Sequence, residues 1–278
     1  MEVKLKNYLT HAGLAIADAP VDQIFTDHLR VSIASASDET INWETIFTYP
    51  VPKLSPDGSC SIHGELEKKP YDLRNIFHNV ILERSDRISP VAATLFRLNR
   101  MVECLHTETQ SDWTGIYLVH ACHPELAEGS LAHASHCTPA LIKLAYRGRP
   151  SRAEFPLTQE FARHSNNSTV GLSGKAVLIQ NVREHIDTGK PYYECDASVK
   201  SELCLPIFSN RHPEPARFAR EARRVEGSPT NIGHVIGILD LESFHKNHFT
   251  VDKVSKVALT CLLASHLLQQ VLPMYRRA

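Results

Sequence analysis

The run SELCLPIFS at residues 201–209, followed after an interruption by HVIGILDLES at residues 234–243, decides the fold. Both are rich in Ile and Leu and are bounded by turn residues, the pattern of β-strands. Residues two apart along a strand point to one face, so Asp240 and Glu242 share a face, and Glu202 and Cys204 share one likewise. GIYLVH at 115–120 and ALIKLAYR at 140–147 have the same character, and the four runs form the core of a sheet. Upstream, Ser89-Pro90 opens a helix with Ala93, Leu95, Leu98, Val102 and Leu105 on one apolar face. Downstream, a closing helix spans about 251 to 272, with Thr250 as N-cap, Val254, Val257, Leu262 and Leu268 facing inward, and Pro273 just beyond its end.

Residues 1–87 read as a separate, mostly helical segment. Ile24, Phe25 and Leu29, then Leu73, Ile76, Phe77, Val80 and Ile81, recur at helical spacing, and Ser55-Pro56-Asp57-Gly58 marks a loop between them. Residues 88–278 form the second unit, with hairpin insertions at about 121–138 and 210–231. Both insertions carry His-Pro-Glu near their start and end in Glu-Gly-Ser, and both exceed the usual hairpin loop. They resemble the translated products of palindromic repeats dispersed in some bacterial genomes, and surface hairpins tolerate such additions.

Composition excludes several classes. The 278 residues are 42% hydrophobic and 22% charged, as in folded soluble proteins, which excludes disordered, collagenous and coiled-coil chains. Thirty basic residues against 31 acidic ones create no global field for nucleic acid or anionic lipid. The most apolar stretch, 257–272, is interrupted by Thr260, Ser265, His266, Gln269 and Gln270, so no membrane span is expected. The first twenty residues lack a signal-peptide core, and the chain reads as cytoplasmic. Seven scattered cysteines, an odd number, fit free thiols better than a disulfide framework.

With the insertions set aside, the order DWTGIYLV, a second strand, RGRPSRAEFPL, VGLSGKAV, NVREH, YECDASVKSELCLPI, HVIGILDLES and a final amphipathic helix resembles a GAF domain. More narrowly, Trp113 with Tyr117, Cys195-Asp196, Ser201-Glu202 and Leu-Asp-Leu-Glu-Ser at 239–243 are similar to the free methionine-(R)-sulfoxide reductases. The resemblance covers residues 88 to 272 and implies an α+β fold, a GAF-type central antiparallel sheet flanked by helices, with the helical N-terminal segment added. It implies Cys195 as nucleophile, Glu202 and Asp240 as catalytic carboxyls, and Trp113, Tyr117, Asp196, Ser201 and Glu242 at the substrate. It further implies an external thiol reductant such as thioredoxin, no bound cofactor, and a homodimer. Two cysteines of the family pattern are replaced, one at or near Arg152 and one by Ser173 in Gly171-Leu172-Ser173-Gly174, so the family's disulfide relay is incomplete.

Sulfoxide reduction needs a thiolate to attack sulfur, an acid to protonate the departing oxygen, and a second thiol to clear the sulfenic acid. Cys195 can supply the first. Clustering of Glu202, Asp240 and Glu242 raises at least one carboxyl pKa, keeping a proton available while another carboxylate holds a ligand ammonium group. Trp113 packs on the apolar end of a small amino-acid-like ligand. Cys204 is the internal candidate for a resolving thiol, although Cys204 and Cys261 lie in apolar runs and read first as core. On spacing alone, Trp113 and Tyr117 also read as core, and Asp240 and Glu242 as solvated strand-end groups. The rival function is a non-catalytic GAF sensor or binding module. A third is a metal-binding protein using His120, Cys122, His123, His133, His136 and Cys137, whose spacing matches no standard zinc finger. Arg217, Arg220, Arg223 and Arg224 alternate with acids and read as a solvated face, with no nucleic-acid partner expected.

Overall fold

The computed structural model describes residues 1–16, 18–34, 44–54, 64–81, 89–120, 138–190, 192–193, 196–209 and 233–275. Nearly all of both insertions, and Cys195 itself, lie outside the described residues. A six-stranded antiparallel sheet has the order β5 (Glu154–Pro156), β4 (Ala140–Arg147), β3 (Trp113–His120), β8 (Val235–Ser243), β7 (Ser201–Phe208), β6 (Val177–Ile179). The four strands expected from the apolar runs form its centre, and helices flank it, as the α+β reading requires. The two edge strands are additional, and at three residues each they fall below the length at which a strand pattern can be read.

Alternation sorts the two faces of the sheet. Ile116, Leu118, Leu203, Leu205, Leu239 and Leu241 belong to the large apolar core, which they share with α5 (Pro90–Thr109) and α9 (Val251–Tyr275). Trp113, Tyr117, Cys204 and Ile238 belong to a smaller cluster on the other face, with Val170 of α7 (Asn166–Ser173). The candidate site lies on that second face.

Helix signals are honoured at α5: Ser89 accepts a hydrogen bond from the Ala92 amide, Pro90 occupies the first turn, and Gln110 ends the helix with φ 52°. The Thr250 hydroxyl lies 3.5 Å from the Lys253 amide at the start of α9. That helix continues past Pro273 to Tyr275 instead of stopping before it. In a final turn the missing N–H and the ring clash disturb few remaining helical bonds.

The N-terminal region contains α1 (Glu2–His11), α2 (Gln23–Ala34), α3 (Glu44–Phe47), a hairpin of β1 (Thr48–Tyr49) and β2 (Tyr71–Asp72), and α4 (Arg74–Ile81). Leu5, Tyr8, Leu9, Phe25, Leu29, Phe47, Leu73 and Phe77 enter the same apolar core as α5 and α9. Polar ties reinforce the packing. The Tyr8 hydroxyl donates to the Pro206 carbonyl at 2.7 Å, and the Tyr49 hydroxyl donates to the Lys143 carbonyl at 2.7 Å. Lys256 of α9 lies 3.4 Å from Asp22 and 3.6 Å from Glu108. Residues 1–81, where described, therefore share one core with the sheet.

No helix among the described residues is long and apolar enough to cross a membrane.

Candidate functional site

Strand register assembles the acids. Glu202 pairs directly with Glu242 and Cys204 with Asp240, so Glu202, Glu242 and Asp240 stand together on one face of β7 and β8. Pro206 has no N–H, and its carbonyl is taken by Tyr8; even-numbered residues of β7 are thus the non-hydrogen-bonded partners of β8. Such pairs are the closer kind, with Cα atoms ~4.5 Å apart, and like charges directly opposite destabilise a sheet. Glu202 is 4% exposed and Asp240 2%, while Glu242 is half-buried.

Helix α7 answers these acids with two successive asparagines. Ser165 caps the helix by accepting from the Ser168 amide, which turns Asn166 and Asn167 toward the sheet. The Asn166 amide nitrogen lies 3.1 Å from each Glu202 oxygen, and the Asn167 amide hydrogen-bonds Asp240. The Tyr192 hydroxyl donates to Glu202. Burial pushes the Glu202 carboxyl up to about 7, against a lesser pull downward from Asn166 and Tyr192. Burial, then the neighbouring Glu202 and Glu242 charges, raise Asp240 well above the ordinary carboxylate range. Burial and the Glu202 charge push the Tyr192 hydroxyl up, so it remains a donor. Two acceptors are left over: Asp240 Oδ1 and Asn167 Oδ1 are buried and have no hydrogen-bond partner among the described residues.

The aromatic wall continues the same face onto β3. Trp113 pairs with Glu242, Gly115 with Asp240 and Tyr117 with Ile238. A Cβ on Gly115 would lie 2.2 Å from the Trp113 ring, so glycine is what lets the indole lie against the strand beside the acids. The indole N–H donates to the Arg149 carbonyl at 3.1 Å, and the Trp113 and Tyr117 ring centres are 6.2 Å apart. Behind the indole is Lys143, fully buried, its ammonium donating to the Ser151 carbonyl and hydroxyl at 2.8 and 2.9 Å. That ammonium lies 4.2 Å from the Tyr146 ring centre, 5.0 Å from Tyr49 and 5.8 Å from Trp113.

The remaining candidate residues divide. Asp196 accepts from Arg149 at 2.8 Å and from the Ser198 amide at 2.8 Å; burial pulls its carboxyl up, but these partners outweigh it and hold the group below the ordinary range. Ser201 points to the opposite face, where its hydroxyl donates to the His245 carbonyl at 2.8 Å, and the acids do not meet it. Cys204 shares the acids' face but is fully buried, and burial, then the Asp240 and Glu202 charges, push its thiol well up. Ser173 accepts from the Lys175 amide at 3.1 Å in the turn after α7. Of the proposed zinc ligands only His120 is described, and no group of three or more metal-ligating side chains exists among the described residues.

No protein-family model matches the chain, and no curated protein matches it. Solved structures do. They include a type II free methionine-R-sulfoxide reductase from Thermoplasma acidophilum, 18% identical over 65% of this chain and 95% of that one, TM-score 0.43. A free methionine-R-sulfoxide reductase from Neisseria meningitidis in complex with its substrate is 18% identical over 71% of this chain and 87% of that one, TM-score 0.41. The GAF domain of an Acinetobacter phosphoenolpyruvate-protein phosphotransferase is 14% identical over 71% and 92%, TM-score 0.41.

Asn166, Asn167 and Tyr192 are the site residues that sequence reasoning missed. Asparagines after a serine read as ordinary helix-start chemistry, and only the packing of α7 on the sheet turns them onto the acids. Together these groups can hold a cationic or hydrogen-bond-donating ligand, and a protonated Glu202 or Asp240 can give up a proton.

Proposed function

We propose that this site binds a small ligand carrying an ammonium group beside an apolar end, and that at Cys195 the chain reduces free methionine-(R)-sulfoxide with an external thiol. One observation carries the binding half. Three carboxyls face one another, and two buried acceptors, Asp240 Oδ1 and Asn167 Oδ1, await donors that no described residue supplies. A buried polar group left unpaired costs about 1–3 kcal/mol, so a ligand ammonium that satisfies both gains what the free site forgoes. Trp113 and Tyr117 offer the apolar end its surface.

The catalytic half rests on the Cys195-Asp196 resemblance. In the proposed reaction Cys195 attacks the sulfoxide sulfur, Glu202 protonates the sulfoxide oxygen, and that oxygen passes to the cysteine. Methionine leaves, the cysteine is oxidised to a sulfenic acid, and two external thiols return it to the thiol with release of water and formation of their disulfide. A carboxyl titrating at about 7 is half-protonated at neutral pH, which suits that role.

A second reading, a binding module without turnover, is favoured by the replaced cysteines. Arg152 and Ser173 cannot form a disulfide, and the buried Cys204 thiol is held protonated. Wild type and Cys195→Ser are compared on L-methionine-(R)-sulfoxide with dithiothreitol, with the S epimer as control and methionine measured by chromatography. Methionine from wild type and the R epimer alone supports the reductase. Equal turnover by Cys195→Ser eliminates the nucleophile, and binding without turnover in wild type leaves the module.

A further inference from the structure

We infer that Lys143 is a positioning residue for the Trp113 wall of this site, and that Tyr49 of the N-terminal region completes the setting in which it works. The inference rests on the ligand reading above, in which Trp113 receives the apolar end of the ligand. Lys143 interrupts the apolar run ALIKLAY of β4 and is fully buried. Burying an ammonium costs desolvation that Leu or Met at this position would avoid, unless partners satisfy it. Its partners converge on the site. Register sets Lys143 directly opposite Tyr117. Its ammonium has the Tyr146, Tyr49 and Trp113 ring centres at 4.2, 5.0 and 5.8 Å, each within reach of a cation–π contact. Tyr146 stacks on Trp113 with centres 6.3 Å apart, so the two rings share one cation.

The same ammonium holds the turn after β4. It donates to the carbonyl and hydroxyl of Ser151, two residues beyond Arg149, whose carbonyl takes the indole N–H at 3.1 Å. Gly148 in that turn has φ 110°, and a Cβ there would lie 2.7 Å from Trp113 Cδ1, so the turn closes onto the edge of the indole. Lys143 thus acts on Trp113 twice, at the ring and through the segment that accepts its N–H. Tyr49 ties the N-terminal region to this arrangement: its hydroxyl donates to the Lys143 carbonyl at 2.7 Å, and Tyr71 stacks on its ring with centres 5.4 Å apart. An indole held in one orientation before the ligand arrives spares the complex the cost of ordering it. The role needs the ammonium engaged, not open to a ligand.

Binding of L-methionine-(R)-sulfoxide is measured by calorimetry at pH 7 for wild type, Lys143→Met, Trp113→Leu and the double variant, each checked for folding by circular dichroism. Methionine keeps an unbranched apolar stem and loses the charge and the donors. Lys143→Met is expected to weaken binding about three- to thirtyfold, the range of a desolvated cation–π contact. Once Trp113 is leucine, the same substitution should change affinity by no more than about twofold. A residue that merely stabilises the fold would cost the same in both backgrounds. Should Lys143→Met fail to fold, or Trp113→Leu bind too weakly to measure, Tyr49→Leu should weaken binding about two- to fivefold, and Tyr49→Phe, which keeps the ring over the ammonium, should restore it. Wild-type affinity in folded Lys143→Met, an equal loss in both backgrounds, or equal affinities in Tyr49→Leu and Tyr49→Phe overturns the positioning role and leaves the ligand reading standing. Absence of binding by wild type overturns the ligand reading itself, and this role with it.

Discussion

Glu202→Gln should stabilise the ligand-free protein at alkaline pH while weakening its ligand binding. Glu202 titrates at about 7 in the folded chain, against an ordinary value of 4.5. Between those values the folded state binds more protons than the unfolded one, so its stability falls as pH rises, by about 3 kcal/mol for full ionisation of a single such group. Glutamine has no proton to lose, and it removes the like charge directly opposite Glu242. Burial, then cationic neighbours, lower His11, His106 and His248, and these act in the opposite sense: they lose stability as pH falls below the ordinary histidine value. They are present in both proteins and cancel in the difference. Asp240 keeps the sign of Glu202 and survives the substitution, with a smaller effect once the Glu202 charge is gone.

Urea unfolding followed by far-UV circular dichroism at pH 5.5 and 8.5 measures the effect. The gap between variant and wild type should move in favour of the variant by about 2 kcal/mol from the lower pH to the higher. Saturating wild type with an ammonium ligand should flatten its own pH dependence, because the ligand supplies the missing counter-charge. Parallel pH profiles for the two proteins, or a wild type that gains on the variant as pH rises, would refute the account of a proton held in the cluster.

Three further outcomes are expected. Gly115→Ala places a methyl group within 2.2 Å of the Trp113 ring, so the indole must move, costing about 1–3 kcal/mol of stability in urea unfolding and most of the ligand affinity; full affinity with wild-type stability would contradict the packing. Asn166→Ala removes a donor that holds Glu202 down, and the alkaline loss of stability should extend to higher pH in the same titration. Tyr8→Phe deletes one hydrogen bond to Pro206 and should cost about 1 kcal/mol in a single unfolding transition; a separate early transition for the N-terminal helices would show that they do not share the core.

The sheet centre was legible because period-2 alternation in residues 201–209 and 234–243 sets which side chains travel together. That rule brought Glu202 to Cys204 and Asp240 to Glu242, and the observed register adds the cross-strand pairing that no single strand contains. Ser201 shows the same rule from its other side: one residue from Glu202 means the opposite face. Asn166, Asn167 and Tyr192 reach the acids through tertiary packing, with no local signature to mark them. The shared core of the N-terminal helices escaped for a related reason. Helical spacing shows that Phe25 and Leu29 face something, but not that the something is α5 and α9.

The contact between Tyr8 and Pro206 also bears on how copies of this chain avoid one another. Among the described residues β6 pairs with β7 along residues 202–204, and past that point a bare sheet margin would invite a strand from another molecule. Proline offers an incoming strand no donor there, and the tyrosine hydroxyl occupies its carbonyl, so an intermolecular ladder finds no rung at Pro206. Loss of the first helix would therefore bare the Pro206 carbonyl and leave this stretch of the sheet margin with proline as its remaining guard.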